Sequence, residues 1–159
     1  MDRFIQIGLN YRIVGGYRFY ERAEIRDALA YLRTIAQPAD DLAFERIYNQ
    51  PKRGLGAKTL EAMRRHARQM QMPLAAASLD LCETDELPAR ARNNLIGLLG
   101  QFVHWREQAE KVTPSELLRM VLAESGYEDM LQKDRSAESA GRLENLTELA
   151  RAMEEYETL

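Results

Sequence analysis

The chain has 159 residues and very little of the chemistry on which most sites are built. One cysteine, Cys82, cannot form an internal disulfide, and no second cysteine can complete a thiolate zinc site. Two histidines, His66 and His104, lie far apart in helical sequence without ligand spacing, which leaves core or surface roles as the default over metal binding. No serine, cysteine or carboxylate pair has a recognisable catalytic setting. No apolar run approaches the ~20 residues of a membrane span, and the opening "MDRFIQIG" lacks a signal-peptide core. These absences predict a cytoplasmic protein with no membrane partner, of about one domain. At this length the apolar residues can bury a core without covalent staples.

Lysine is also scarce: arginine outnumbers it eighteen to four. That preference suits bidentate recognition of carboxylate or phosphate, although a GC-rich genome gives the same bias. The net charge of −3 argues against nucleic acid, but the charges are segregated. Between Glu45 and Met70, Arg46, Lys52, Arg53, Lys58, Arg64, Arg65 and Arg68 face only Glu45 and Glu61. Between Leu143 and Leu159 the balance reverses, with Glu144, Glu148, Glu154, Glu155 and Glu157 against Arg151. Local asymmetry of this kind bears on partners more than the net value does.

Helical periodicity fills most of the chain. "RAEIRDALAYLRTIAQP" places Ile25, Ala28, Leu29, Leu32 and Ile35 on one face, with Pro38 beyond its end. "DDLAFERIYNQP" reads as a short helix capped by Asp40 or Asp41 and stopped by Pro51. A basic helix to about Gln71 follows, then one with Pro73 in its first turn, then a long one from about Pro88 to Lys111. Phe102 and Trp105 fall on the apolar stripe of that long helix, which favours core packing over base stacking. "TPSELLRMVLAESG" carries a capping box, Thr113 with Glu116, and Gly126 as its stop. A last helix is expected from about Gly141. The exception is "NYRIVGGYRF", a short strand meeting the pair Gly15–Gly16; a lone strand is not stable, so it implies a sheet elsewhere. The expected fold class is all-α with one orphan strand.

The stretch "KRGLGAKTL" raises the question of phosphate. A nucleotide P-loop needs G-x-x-x-x-G-K-[ST] after a buried strand, whereas this alignment puts Ala57 and Lys52 at the glycine positions, after a helix. A helix-hairpin-helix-like turn fits better. Glycine allows close backbone approach, the amides opening the next helix can take a phosphate oxygen, and Lys52, Arg53 and Lys58 flank them. Thr59 can donate one more hydrogen bond, and Leu55 would point back into the core. Such contacts hold the DNA backbone without reading sequence. A plain turn between two helices, with Arg64, Arg65 and Arg68 as a solvated face, fits the same pattern. The charges of "ERAEIRDALAYLR" (Glu21, Arg22, Glu24, Arg26, Asp27, Arg33) read as ion pairing or a contact with a missing neighbour, rather than catalysis.

The run "YRIVGGYRFYERAEIRDALAYLRTIAQPADDLAFERIYNQPKRGLGAKTLEAMR" closely resembles UvrD/Rep/PcrA-type superfamily 1 DNA helicases, where the second motor lobe, 2A, joins the inserted helical 2B subdomain. "RLENLTELARAMEEYE" is similar to a later 2B segment, and the likeness is weakest from about Gln71 to Lys133. The resemblance implies that residues 1–16 are a 2A strand and hinge, with Gly15 and Gly16 at the hinge. Residues 17–159 would be a 2B subdomain cut short at its C-terminal end. It implies an ATP-dependent 3′-to-5′ helicase parent in DNA repair or replication, with ATP and Mg²⁺ bound in lobes whose motifs are absent here. The fragment itself would be noncatalytic and cofactor-free. A duplex-contacting role then falls on Lys52, Arg53, Gly54, Leu55, Gly56, Lys58 and Thr59, although Ala57 replaces an acidic residue frequent in that family. The implied partners are duplex or junction DNA, the motor lobes and repair proteins. The rival expectation is a helical protein-interaction module in which DNA contact is incidental.

Overall fold

The computed structural model describes residues 18–158, which are all-α: no strand occurs among them. The expected strand at Tyr11–Val14 and the Gly15–Gly16 hinge lie outside the described residues. After a helical turn at 18–21 come α1 (Ala23–Ala36), α2 (Asp41–Ile47), α3 (Ala57–Met70), α4 (Leu74–Leu81), α5 (Ala89–Ala109), α6 (Pro114–Glu124), α7 (Tyr127–Lys133) and α8 (Ala137–Glu157).

α1 is the axis of the molecule, packed against α2, α5, α6 and α8. Its expected apolar face is only part of what it buries. Ile25, Ala28, Leu32 and Ile35 are in the core as the spacing requires, but Leu29 is half-buried, while Glu24, Asp27, Tyr31 and Thr34 are buried as well. A helix enclosed by neighbours buries more than one stripe, and its polar residues then need partners. They have them. Asp27 Oδ1 accepts from Arg46 Nε of α2 at 2.8 Å, and Asp27 Oδ2 accepts from the Tyr127 hydroxyl of α7 at 2.6 Å. Glu24 Oε2 accepts from Asn145 Nδ2 of α8 at 2.7 Å, and Thr34 Oγ1 donates to the Ala30 carbonyl of its own helix. The charges of "ERAEIRD" are thus partly an internal clamp on three other helices.

Tyr31, Phe44, Phe102 and Trp105 meet at the centre. Phe102 and Trp105 stand edge to face with ring centroids 5.0 Å apart, and Tyr31 lies 6.0 Å from Phe102. Phe102 and Trp105 are therefore core residues. Trp105 is fully buried and still satisfies its indole, which donates to Glu124 Oε1 at 2.9 Å.

Helix ends follow local chemistry. Asp40 is the cap of α2, accepting from the Ala43 amide. Its neighbour Asp41 reaches across to accept from the Leu74 amide at the start of α4, where Pro73 supplies no cap. Thr113 caps α6 through the Glu116 amide, and Gly126 follows that helix with φ +86°. That glycine ends α6 and at once opens α7, a seven-residue helix with no separate sequence signal. The last helix begins at Ala137, four residues before the expected start, because the Ser136 hydroxyl accepts from the Ser139 amide. α3 packs chiefly on α4, and this pair joins the rest of the molecule through α2 and α5.

Candidate nucleic-acid interface

The segment between α2 and α3 is short, carries two glycines, and is held along its inner side. Asn49 Oδ1 accepts from the amides of Arg53 (2.6 Å) and Leu55 (3.2 Å). Asn94 of α5 donates its Nδ2 to the Arg53 carbonyl at 2.8 Å. Leu55 is fully buried and anchors the loop in the core, as its place between two glycines suggests. Gly54 adopts φ +72°, a region an L side chain rarely enters, so glycine is required there.

Arg53 points inward. Its Nη1 donates to the carbonyls of Ile47 (2.9 Å), Tyr48 (3.2 Å) and Pro51 (3.3 Å). Its Nη2 donates to the Tyr31 hydroxyl at 2.6 Å and the Ser125 carbonyl at 3.5 Å. The first two carbonyls stand at the C-terminal end of α2, where a helix leaves acceptors unpaired and favours a cation. Burial pushes the Tyr31 phenol up, against the opposing pull of Arg53. It therefore stays protonated and donates to the Gln50 carbonyl at 2.6 Å while accepting from Arg53. Arg53 is one of the residues expected beside phosphate, and its guanidinium braces the loop from inside.

The outer face is different. Lys52, Gly54, Gly56, Ala57 and Lys58 are exposed, whereas Thr59 is buried at the start of α3. Gly56 is the cap residue of α3, in ordinary extended backbone, and it offers no side chain to the helix's first amides. A Cβ added there would meet nothing within 4 Å, so nothing inside the molecule asks for glycine at that position. The first turn of α3 contains no acid.

Of the seven cations between Glu45 and Met70, three are engaged internally. Arg46 holds Asp27, Arg53 braces the loop, and Arg64 makes a two-pronged pair with Glu45 at 2.7 and 2.9 Å. Lys52, Lys58, Arg65 and Arg68 have no ion pair among the described residues. His66 lies 2.6 Å from Asp80 Oδ2 and joins α3 to α4. Among the described residues no three metal-ligating side chains gather.

The model of the UvrD-like helicase C-terminal domain matches residues 1–159. The chain belongs to that family. Among its relatives, a probable DNA helicase II homolog of Rickettsia conorii is 39% identical over 98% of this chain and 24% of its own length. DNA helicase II of Escherichia coli is 35% identical over 98% and 22%. The ATP-dependent DNA helicase PcrA of Bacillus subtilis is 35% identical over 98% and 21%. The chain thus spans about a quarter of the length of the curated relatives it matches.

In this UvrD-like helicase domain the glycine loop follows helix α2, not a strand, so its context differs from that of a nucleotide-binding P-loop. Two asparagines that shape the loop, Asn49 and Asn94, escape a reading of sequence based on glycine and charge. Asn94 lies 41 residues from its partner Arg53, and only the packing of α5 brings them together. No helix among the described residues is long and apolar enough to cross a membrane.

Proposed function

We propose that this chain is the duplex-contacting 2B subdomain of an ATP-dependent DNA helicase, noncatalytic by itself, with residues 17–159 forming the subdomain and residues 1–16 its link to a motor lobe. ATP and Mg²⁺ would be bound, and hydrolysis performed, by lobes outside this chain. The relatives' names as DNA helicases support the parent activity, and DNA repair is the process the resemblance implies. The observation that carries the DNA contact is the contrast across one loop. Its inner side is fixed by Asn49, Arg53 and Leu55, while its outer side presents Lys52, Lys58 and the bare backbone of Gly54 and Gly56. A rigid loop with exposed glycine and two unpaired lysines is suited to a phosphate backbone, which it would hold without sequence preference. The buried Leu55 and Thr59 contribute by position, and Arg53 by bracing.

The rival reading, a helical protein-interaction module docking on the motor lobes or repair partners with DNA contact incidental, draws on the acidic C-terminal helix and has less to stand on. Glu157 accepts from the Ser115 amide and hydroxyl, both at 2.8 Å, and Glu154 pairs with Arg119. Two of the five glutamates are therefore committed inside the molecule.

A fluorescent hairpin duplex titrated at two salt concentrations tests the proposal. Binding near ~10⁻⁴–10⁻⁶ M is expected, with a logarithmic salt slope of about −0.9 per neutralised phosphate. Lys52→Ala/Lys58→Ala should weaken binding and make that slope shallower by about 2. An unchanged slope in the double variant would remove the loop from the interface.

A further inference from the structure

An open groove of about 730 Å³ runs between the outer loop wall, at Lys52 and Gly54, and the exposed face of α5. It was not apparent from the sequence, where α5 stood out only for its apolar stripe. Arg90, Asn93 and Gly97 of α5 face the groove, and no carboxylate lines it in a chain with more acids than bases. Arg90 and Asn93 are exposed and have no hydrogen-bond or ion-pair partner among the described residues, like Lys52 opposite. The two walls are tied together by the Asn94 bond to the Arg53 carbonyl, so their spacing is held by the fold. Gly97 stands one turn from Asn93 and two from Arg90 on the same helix face. A Cβ on it would meet nothing within 4 Å. Glycine is a poor helix former, and here no internal packing calls for it.

We infer that this groove seats a second stretch of DNA sugar–phosphate backbone, with Arg90 and Asn93 contacting phosphate opposite Lys52 and with Gly97 leaving room for the strand. The inference rests on the proposed duplex contact of the glycine loop and extends it to a helix that nothing else connects with DNA. Its charge selects a polyanion, and its openness suits a continuous backbone better than a small ligand, which pockets bury on most sides. Arg90 is suited to phosphate by its planar fork of donors, and the Asn93 amide can add one neutral hydrogen bond.

The same hairpin titration, run on the whole chain, separates this contact from that of the loop. Arg90→Ala/Asn93→Ala should weaken binding several-fold and make the salt slope shallower by about 1, the value of one phosphate contact. Gly97→Leu changes no charge and replaces glycine with a better helix former. It should weaken binding while its thermal midpoint stays the same or rises. Lys58→Ala, outside the groove, reports on the loop alone. If Lys58→Ala weakens binding while both α5 variants bind like the parent, the groove inference is overturned and the loop reading stands. If the α5 variants weaken binding and Lys58→Ala does not, the grip at the start of α3 falls and the groove contact stands together with Lys52. Loss in Arg90→Ala/Asn93→Ala without loss in Gly97→Leu would assign Arg90 to a diffuse basic field and overturn the seating. Absence of duplex binding by the parent chain overturns both.

Discussion

A guanidinium that donates to four carbonyls and a phenol has no simple replacement. Lysine in place of Arg53 keeps the charge but not the fork, so it cannot reach the end of α2, Pro51 and Tyr31 together. Arg53→Lys is expected to lower stability by about 2 kcal/mol in urea unfolding, because carbonyls and the Tyr31 hydroxyl lose a charged partner. Lys52→Ala next to it, an exposed position, should stay within about 0.5 kcal/mol of the parent. The two glycines divide in the same way. Gly54→Ala forces a side chain into positive φ and should cost about 1–2 kcal/mol. Gly56→Ala has ordinary backbone and open space, so about 0.5 kcal/mol from poorer capping is expected. Its methyl would nevertheless stand where a phosphate approaches, and duplex affinity should fall by more than stability does. Comparing unfolding midpoints with duplex titrations for both variants checks the division; equal effects of Gly56→Ala on the two would leave the glycine without a binding role.

Whole helices depend on pairs and caps that differ in how much of them the sequence reveals. Thr113 sits two positions before a serine and three before a glutamate, a local pattern, and its hydroxyl does cap α6; Thr113→Ala should cost about 1 kcal/mol. Asp40 was equally legible. Asp41 was not, because its amide partner on α4 lies 33 residues away. The inward turn of Arg53 was hidden for the same reason: Tyr31 and Ser125 are 22 and 72 residues distant. Periodicity could not show α7, which is too short to display it, nor the enclosure of α1, whose Asp27 and Glu24 read as ion pairing or a contact with a missing neighbour and show no sign of burial until their partners are placed. In the candidate site, the exposed lysines and glycines were legible as a local motif, and the groove wall on α5 was not. The pair that spans α2 and α3, Glu45 with Arg64, gives a pH signature. The hydrogen bond from Arg64 holds the Glu45 carboxyl below its usual range, against a smaller upward push from burial. A carboxyl lowered on folding stabilises the fold above its unfolded value near 4.5, and that contribution is lost as pH falls through the lowered folded value. Urea midpoints followed from neutral pH into acid should therefore fall less steeply for Glu45→Gln than for the parent below about pH 4.5. Parallel curves would mean that the pair forms no better in the folded chain than in the unfolded one.

At the scale of the molecule, the question is whether the loop-bearing part, α2 to α4, can come apart from α6 to α8. Asp27 argues that it cannot. From the central helix it holds Arg46 on the α2 side and Tyr127 on the α7 side with its two oxygens, and it is 6% exposed. Burial, reinforced by the bond to Asp27, drives the Tyr127 phenol well above its ordinary range, so the hydroxyl remains a donor at any ordinary pH. Removing this carboxylate takes the acceptor from the buried Tyr127 hydroxyl and from Arg46 Nε on opposite sides of α1, a loss of about 2–3 kcal/mol. For a domain of this length, that corresponds to a fall of roughly 5–10 °C in Tm. The form of the transition is as informative as its midpoint. If the shared core already makes one cooperative unit and the clamp only strengthens it, Asp27→Ala should still unfold in a single step, with the same denaturant slope by far-ultraviolet dichroism and by Trp105 fluorescence. Trp105 lies on α5 in the shared core and reports tertiary packing, while dichroism reports all the helices. Two separated transitions would show that the two sides of α1 are independent, and the loop would then be held rigid by α2, α5 and Arg53 alone.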